Sequence, residues 1–265
     1  MRQLSSLAGI DWIKDGVVRR TPGVPCTVAH CIPPVFAAYA KIFHPIHEDL
    51  SIEGDGLTWN EEEKANPAAP PLHTDPVIAD ILAKSTLVYG GITPGSRPVR
   101  LPWARLARRL GLLLTPTLSA ASFTRRFPEG SWSRSLIGPN EGNLAGSERD
   151  ALASVLRLHT DTGRCLFHLW CLATADWSED LLLERALEDV RRFPGEVPEA
   201  RCTPTQWFPD DRGWLVCSDH DLTFTLFGGP APLVHDLLEH PVFECVAVQP
   251  ETQVDWNADL YGPVQ

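Results

Sequence analysis

Twenty-four of the 265 residues are proline, against a usual share of about 5%. Each one fixes φ and removes a backbone donor. The chain is therefore expected to fold from many short elements joined by fixed turns, with few long helices. At 43% hydrophobic and 22% charged residues, the composition is that of a globular protein. A chain of this length can bury enough surface to hold a core without metal or disulfide. One domain over residues 1–265 is expected, with an internal seam near 128–146, where prolines, glycines and asparagines cluster.

The formal charge is −11, which argues against duplex nucleic acid or an anionic membrane as the main partner. Charge is unevenly spread. Residues 97–134 carry eight arginines and one acid, whereas residues 135–265 carry 8 basic and 22 acidic groups. The simplest reading docks the arginine-rich stretch on the acidic C-terminal half. No apolar run approaches the ~20 residues of a membrane span, and the N-terminus reaches Asp11 before an apolar stretch forms, so no secretory signal is expected. The seven cysteines are odd in number and lack a C-x-x-C pair. That pattern predicts reduced thiols in a cytoplasmic protein.

Pro33-Pro34 is expected to open a helix through Val35, Ala38, Tyr39, Ile42 and Phe43, closed at His44-Pro45. Residues 50–72 and 90–98 read as loops, with a short helix over 76–84 between them. A helix follows Pro102, with Trp103, Leu106 and Leu110 on its apolar face and Arg105, Arg108 and Arg109 on the other. Ser147 to Asp150 reads as a capping box for the next helix. Residues 164–174 read as a strand and 176–193 as a helix. A hairpin joins 205–208 to 214–218 around Asp210-Asp211. A strand over 222–227 ends at Gly228-Gly229-Pro230, a helix spans 232–240, and the last strand spans 242–248. The expected class is α+β: an antiparallel sheet in the C-terminal half backed by short helices, with proline-rich loops in the N-terminal half.

Residues 33–47 (PPVFAAYAKIFHPIH), 164–173 and 207–229 (WFPDDRGWLVCSDHDLTFTLFGG) resemble a family of uncharacterised bacterial proteins. Its members similarly carry a PPxFxAYAxxxHP helix, a Trp-rich strand, and a WxPDDRxW hairpin followed by a Gly-Gly turn. The resemblance implies no activity and assigns no site residue.

Cys26, His30, Cys31, His44 and His47 contain the makings of a Cys2His2 zinc site. Against it, the first pair lacks finger spacing, and His44 before Pro45 reads as a helix-end histidine. His235 and His240 lie at i and i+5, about 140° apart on a helix, too far round for a zinc-protease pair. Asp210 and Asp211 cap a tight turn. Asp219, His220 and Asp221 form a second turn and a candidate ligand contact. Serine-nucleophile elbows, P-loops and dinucleotide fingerprints are missing. No catalytic residue, metal ligand or cofactor is assigned from the sequence.

Nine tryptophans either plug a core beneath proline-rich loops or line a binding surface, where Trp and Arg are favoured. The favoured expectation is a non-enzymatic binding or accessory protein. It would meet a protein partner or small ligand through Arg105, Arg108, Arg109, Trp207, Trp214, Asp219, His220 and Asp221. The rival is a metal-dependent or thiol enzyme, which would gather a cysteine or carboxylate with a histidine in a pocket.

Overall fold

The structure, a computed structural model, describes residues 2–52, 58–65, 96–161, 163–193 and 195–260. The helix expected over 76–84 and most of the loops expected over 50–72 and 90–98 lie outside them. The chain forms two compact units, one of residues 1–44, 115–117 and 140–265, the other of residues 45–114 and 118–139. The fold is α+β with antiparallel sheets, the larger one mostly in the C-terminal half. No helix among the described residues is long and apolar enough to cross a membrane.

The first unit is built on an eight-stranded antiparallel sheet. Its strands are β1 (Arg2–Gln3), β2 (Ala38–Phe43), β6 (Arg164–Leu169), β7 (Leu181–Ala186), β8 (Gln206–Pro209), β9 (Leu215–Cys217), β10 (Phe224–Gly229) and β11 (Cys245–Val248). The spatial order is β1-β7-β6-β8-β9-β10-β2-β11. Both faces are covered. On one, α5 (Gly146–Arg157) and α6 (Ala231–Glu239) pack Leu152, Leu156, Leu233 and Leu237 over Phe167, Trp207, Val216 and Phe227. On the other, Ile10, Ile13 of α1 (Asp11–Gly16), Val28, Ile32 and Val254 cover Leu182, Phe208, Leu215 and Leu226.

Double coverage explains two departures from the sequence reading. Residues 38–43 form strand β2, not a helix, and residues 176–193 form a loop, strand β7 and a 3-10 turn (Leu187–Arg192). A strand buried on both faces loses the alternation of apolar and polar residues. In β2, Ala40 and Ile42 face one core and Tyr39 the other, so a short apolar run mimics helical spacing. β10 runs through Gly228 and Gly229 and stops before Pro230. They pair with Tyr39 and Ala38, and a Cβ on Gly228 would lie 2.6 Å from the Phe36 ring. The missing side chain admits that ring against the sheet. The hairpin of β8 and β9 forms as expected. The Ser147 box does not: the N-cap is Ala145, and Ser147 Oγ donates to Glu148.

The second unit carries a three-stranded sheet, β4 (Pro98–Leu101), β3 (Ile46–Asp49) and β5 (Leu136–Ile137), in the order β4-β3-β5. Its helices are α2 (Trp59–Ala65), α3 (Trp103–Arg109) and α4 (Ala120–Thr124). Helix α2 lies where the sequence predicts a loop. Its start is a reciprocal cap: Thr58 N–H donates to Glu61 Oε2 at 2.8 Å, and Glu61 N–H to Thr58 Oγ1 at 3.3 Å. The core stacks Trp103, Phe123 and Trp132, with ring centroids 5.0 and 6.1 Å apart along the series.

Candidate functional site

The arginine helix orients as its apolar spacing predicts. Trp103 and Leu106 are buried, Leu110 is half-buried, and Arg105, Arg108 and Arg109 are exposed. Burying each large apolar side chain contributes roughly 1.5–3 kcal/mol, more than an exposed ion pair. Arg109 pairs with Glu48 of β3 at 2.6 Å, so its acid comes from the N-terminal third of the chain and not from the C-terminal half. Among the described residues, Arg105 and Arg108 make no ion pair.

Trp207 and Trp214 do not reach the surface. Both are fully buried, their rings 5.7 Å apart edge to face, and Trp214 Nε1 donates to Thr160 Oγ1 at 3.0 Å. They flank a hairpin tip in sequence, yet their strands lie in the middle of the sheet and aim the rings under α5 and α6. Among the described residues the exposed aromatics are Trp170 (39% exposed), Trp177 (44%) and Trp256. Trp170 and Trp177 were not singled out by sequence, because they sit in segments that read as strand and helix.

Among the described residues, the histidines and cysteines of the zinc reading form no group of converging ligand atoms. His30 Nδ1 accepts the Thr27 N–H at 3.0 Å. His44 sits at the end of β2, not of a helix. Its Nδ1–H donates to the Asn140 carbonyl at 2.5 Å, and Nε2 accepts from Thr225 Oγ1 at 2.9 Å. Burial pushes its pKa down to about 4, against the Asn140 bond that favours the charged form. His47 lies in β3, registered opposite Arg100 and Ile137.

One end of the large sheet gathers most of the remaining chemistry. There the β6–β7 connection (170–180), the β9–β10 turn and residues 140–143 come together. His168, Gln206 and Cys217 lie side by side on β6, β8 and β9. His168 Nδ1 is 3.2 Å from Gln206 Oε1 and Nε2 is 3.2 Å from Asp180 Oδ2, while Asp180 Oδ1 accepts the Cys171 N–H at 2.9 Å. Burial lowers the His168 pKa, partly offset by Asp180. This pair pins the connection to the strand end.

Asp219, His220 and Asp221 form the turn expected of them, with the Asp221 N–H bonded to Asp219 Oδ1 at 3.1 Å. His220 Nδ1 is 3.1 Å from Asp219 and Nε2 is 3.0 Å from Asp221. Among the described residues these three are the one group whose donor atoms converge as metal ligands would. Among the described residues His220 Nδ1 makes no hydrogen bond; Asp219 and His220 are half-buried and Asp221 is exposed. The Trp170 ring meets the His220 ring edge-on at 4.8 Å, and the Arg201 guanidinium lies 4.6 Å from the Trp177 ring centroid. Trp177 holds φ at +58°, a left-handed backbone that a bulky residue rarely adopts.

Gly142, at φ +59°, presses directly on this turn. A Cβ there would stand 2.5 Å from the His220 Cα, and the Gly142 N–H donates to the Leu222 carbonyl at 2.9 Å. Gly142→Ala is expected to destabilise the protein by about 1–3 kcal/mol, since a backbone clash adds to left-handed strain. Urea denaturation checks this, and a loss under about 0.5 kcal/mol, ordinary for surface changes, would contradict the close approach.

Comparison of the chain with family models, curated proteins and solved structures found no match. The motif resemblance assigns no residue role, so the reading of function rests on the site.

Proposed function

We propose that the protein is a non-enzymatic binding protein that captures a basic, apolar segment of a protein partner on the β6–β7 connection. The observation that carries this reading is the exposure of Trp170, Leu172 and Trp177 together on one tethered loop, with Trp177 in a strained backbone. Strain at an exposed aromatic residue is retained where the side chain's position has a use. Hydrogen bonds from the Trp170 N–H to Thr205 Oγ1 and from the Ser178 N–H to Asp176 hold the loop in place. The aromatic side chains are thus presented with little entropy left to lose on binding.

The charge around the loop selects the partner. Asp176 and Glu179 are exposed on it, Asp219 and Asp221 flank Trp170 through His220, and Arg201, the one cation against these rings among the described residues, already lies on Trp177, which leaves Trp170 as the ring open to a partner's cation. Hydroxyl and N–H donors from Ser178 hold the Asp176 carboxyl below the usual carboxylate range. Aromatic faces bordered by carboxylates favour Lys or Arg side chains alongside apolar ones. An odd set of seven free cysteines supports placing the protein in the cytoplasm.

The test is a panel of synthetic peptides, basic-apolar against acidic-apolar, titrated while tryptophan emission is followed. Saturable binding of basic-apolar peptides is expected, weakened at least about tenfold in the Trp170→Ala/Trp177→Ala variant, a loss typical of interface aromatics. Thermal stability should stay near that of the parent. Equal binding of acidic peptides, no binding of any peptide, or undiminished binding by the variant would overturn the reading.

A further inference from the structure

The large sheet ends at β11, which pairs with β2 on its inner side and, among the described residues, with no strand on its outer side. Antiparallel pairing turns the N–H and C=O of every second residue away from the neighbouring strand. The Phe43 N–H donates to the Glu244 carbonyl at 2.9 Å. Two and four residues further along the ladder, Val246 and Val248 lie opposite Lys41 and Tyr39. The inward groups are therefore those of Val246 and Val248, and the groups of Cys245 and Ala247 point outward. Gln249 closes the window, since its N–H donates to Thr252 Oγ1 at 2.8 Å and its carbonyl accepts the Thr252 N–H at 2.9 Å. We propose that β11 takes an extended, basic segment of a partner protein as a further strand of this sheet, paired with Cys245 and Ala247.

The edge and its surroundings fit that occupant. Natural sheets blunt an exposed edge with lysine, proline or a bulge. Strand β11 carries no charge and no proline, and its register with β2 is unbroken. Beside it, between α6 and the ends of β2 and β11, lies a cleft of about 380 Å³ lined by Phe36, Ala38, Val234, Leu238, Ala247 and Pro250 among others. Ala247 is exposed and stands opposite Ala40, which faces the core under α6. A residue paired with Ala247 sets its side chain on that same face, against the cleft. In strand addition the main-chain bonds supply affinity and the neighbouring pocket selects the side chain, here an aliphatic one.

Charge decides between a partner and a second copy of the chain. Residues 213–265 carry eight acids and no lysine or arginine. Glu239 ends α6, and Glu244 and Glu251 stand on either side of the open window in sequence. Pairing β11 with the β11 of a second copy brings two such acidic stretches together. Lysine or arginine alternating with aliphatic residues meets the acids instead, and opposite charges at a contact favour association. The surface is separate from the Trp170 loop, because four strands lie between β6 and β11. Either surface can therefore fail its test without the other.

The test follows the anisotropy of a fluorescein-labelled Lys-Val-Lys-Val-Lys peptide on the full chain carrying Trp170→Ala/Trp177→Ala, so that the loop does not contribute. Saturable binding is expected. Methylating the two valine amide nitrogens keeps the side chains but removes the main-chain donors, and should weaken binding at least about tenfold. Ala247→Pro removes one outward donor and leaves the ladder to β2 intact, so it should weaken binding about three- to tenfold with thermal stability near the parent's. Amide exchange gives a readout that needs no variant at the edge. In the free protein the Cys245 and Ala247 amides should exchange faster than those of Val246 and Val248, and the peptide should slow them. No binding, equal binding of the methylated peptide or of Glu-Val-Glu-Val-Glu, or unchanged exchange at Cys245 and Ala247 would each overturn the proposal. A dimer in sedimentation that Ala247→Pro dissociates would give the edge to a second copy and overturn it as well.

Discussion

Lys41→Met is expected to narrow its stability gap to the parent by about 2 kcal/mol between pH 7 and pH 9. Lys41 sits in β2, between Leu226 of β10 and Val246 of β11, and is fully buried. Its ammonium donates to the Pro116 carbonyl at 3.1 Å and lies 4.0 and 5.0 Å from the Phe224 and Phe43 ring centroids. Burial pushes its pKa down to about 7 from 10.5, against the favourable charge of Asp259. A lysine depressed in the folded state binds fewer protons there than in the unfolded chain between pH 7 and 10.5. Its cost is therefore complete below pH 7 and relieved as pH rises through that window. Methionine carries no such term, so it should be the more stable variant at pH 7, with its advantage shrinking by pH 9. Raised cysteine pKa values act the opposite way above pH 9 but cancel between the two proteins. Urea titrations at pH 7, 8 and 9 measure the gap, and parallel pH curves would show that Lys41 titrates normally.

Trp214→Ala is expected to lose about 3–5 kcal/mol, the range for truncating a buried aromatic. That is a large part of a typical total stability of about 5–15 kcal/mol. The ring touches Trp207 edge to face, and its N–H reaches a buried hydroxyl whose own proton goes to the Leu156 carbonyl at 2.7 Å. Trp214→Phe keeps most of the packing and should lose less, about 1–2 kcal/mol, from the missing hydrogen bond and residual void. Trp177→Ala, at the surface, should stay within about 0.5 kcal/mol. Equilibrium denaturation of the three variants separates core from surface tryptophan, and equal losses at Trp214 and Trp177 would contradict both assignments.

The tryptophans mark where sequence reasoning stopped. Trp207 and Trp214 stand beside Asp210-Asp211, a turn signal, and their neighbourhood reads as a surface loop. Burial depends on which strands lie to either side, and β8 and β9 are central. Trp170 and Trp177 carry the opposite error. They belong to apolar or helix-like stretches, but the chain leaves β6 at Leu169 and re-enters the sheet at Leu181, leaving the loop between them at the surface.

Composition and local pattern were enough for the α+β class, the hairpin around Asp210-Asp211, the helix of Leu233 and Leu237, and the orientation of Trp103 and Leu106 against their arginines. Each of these depends on contacts within a few residues or on one apolar face. The strand identity of residues 38–43 and 181–186, the neutral buried state of His44 and the depression of Lys41 depended on the tertiary structure. They arise where two layers close on both faces of one sheet, which removes the periodicity that local reading requires. Burial then sets the charge of each enclosed group by what surrounds it in space.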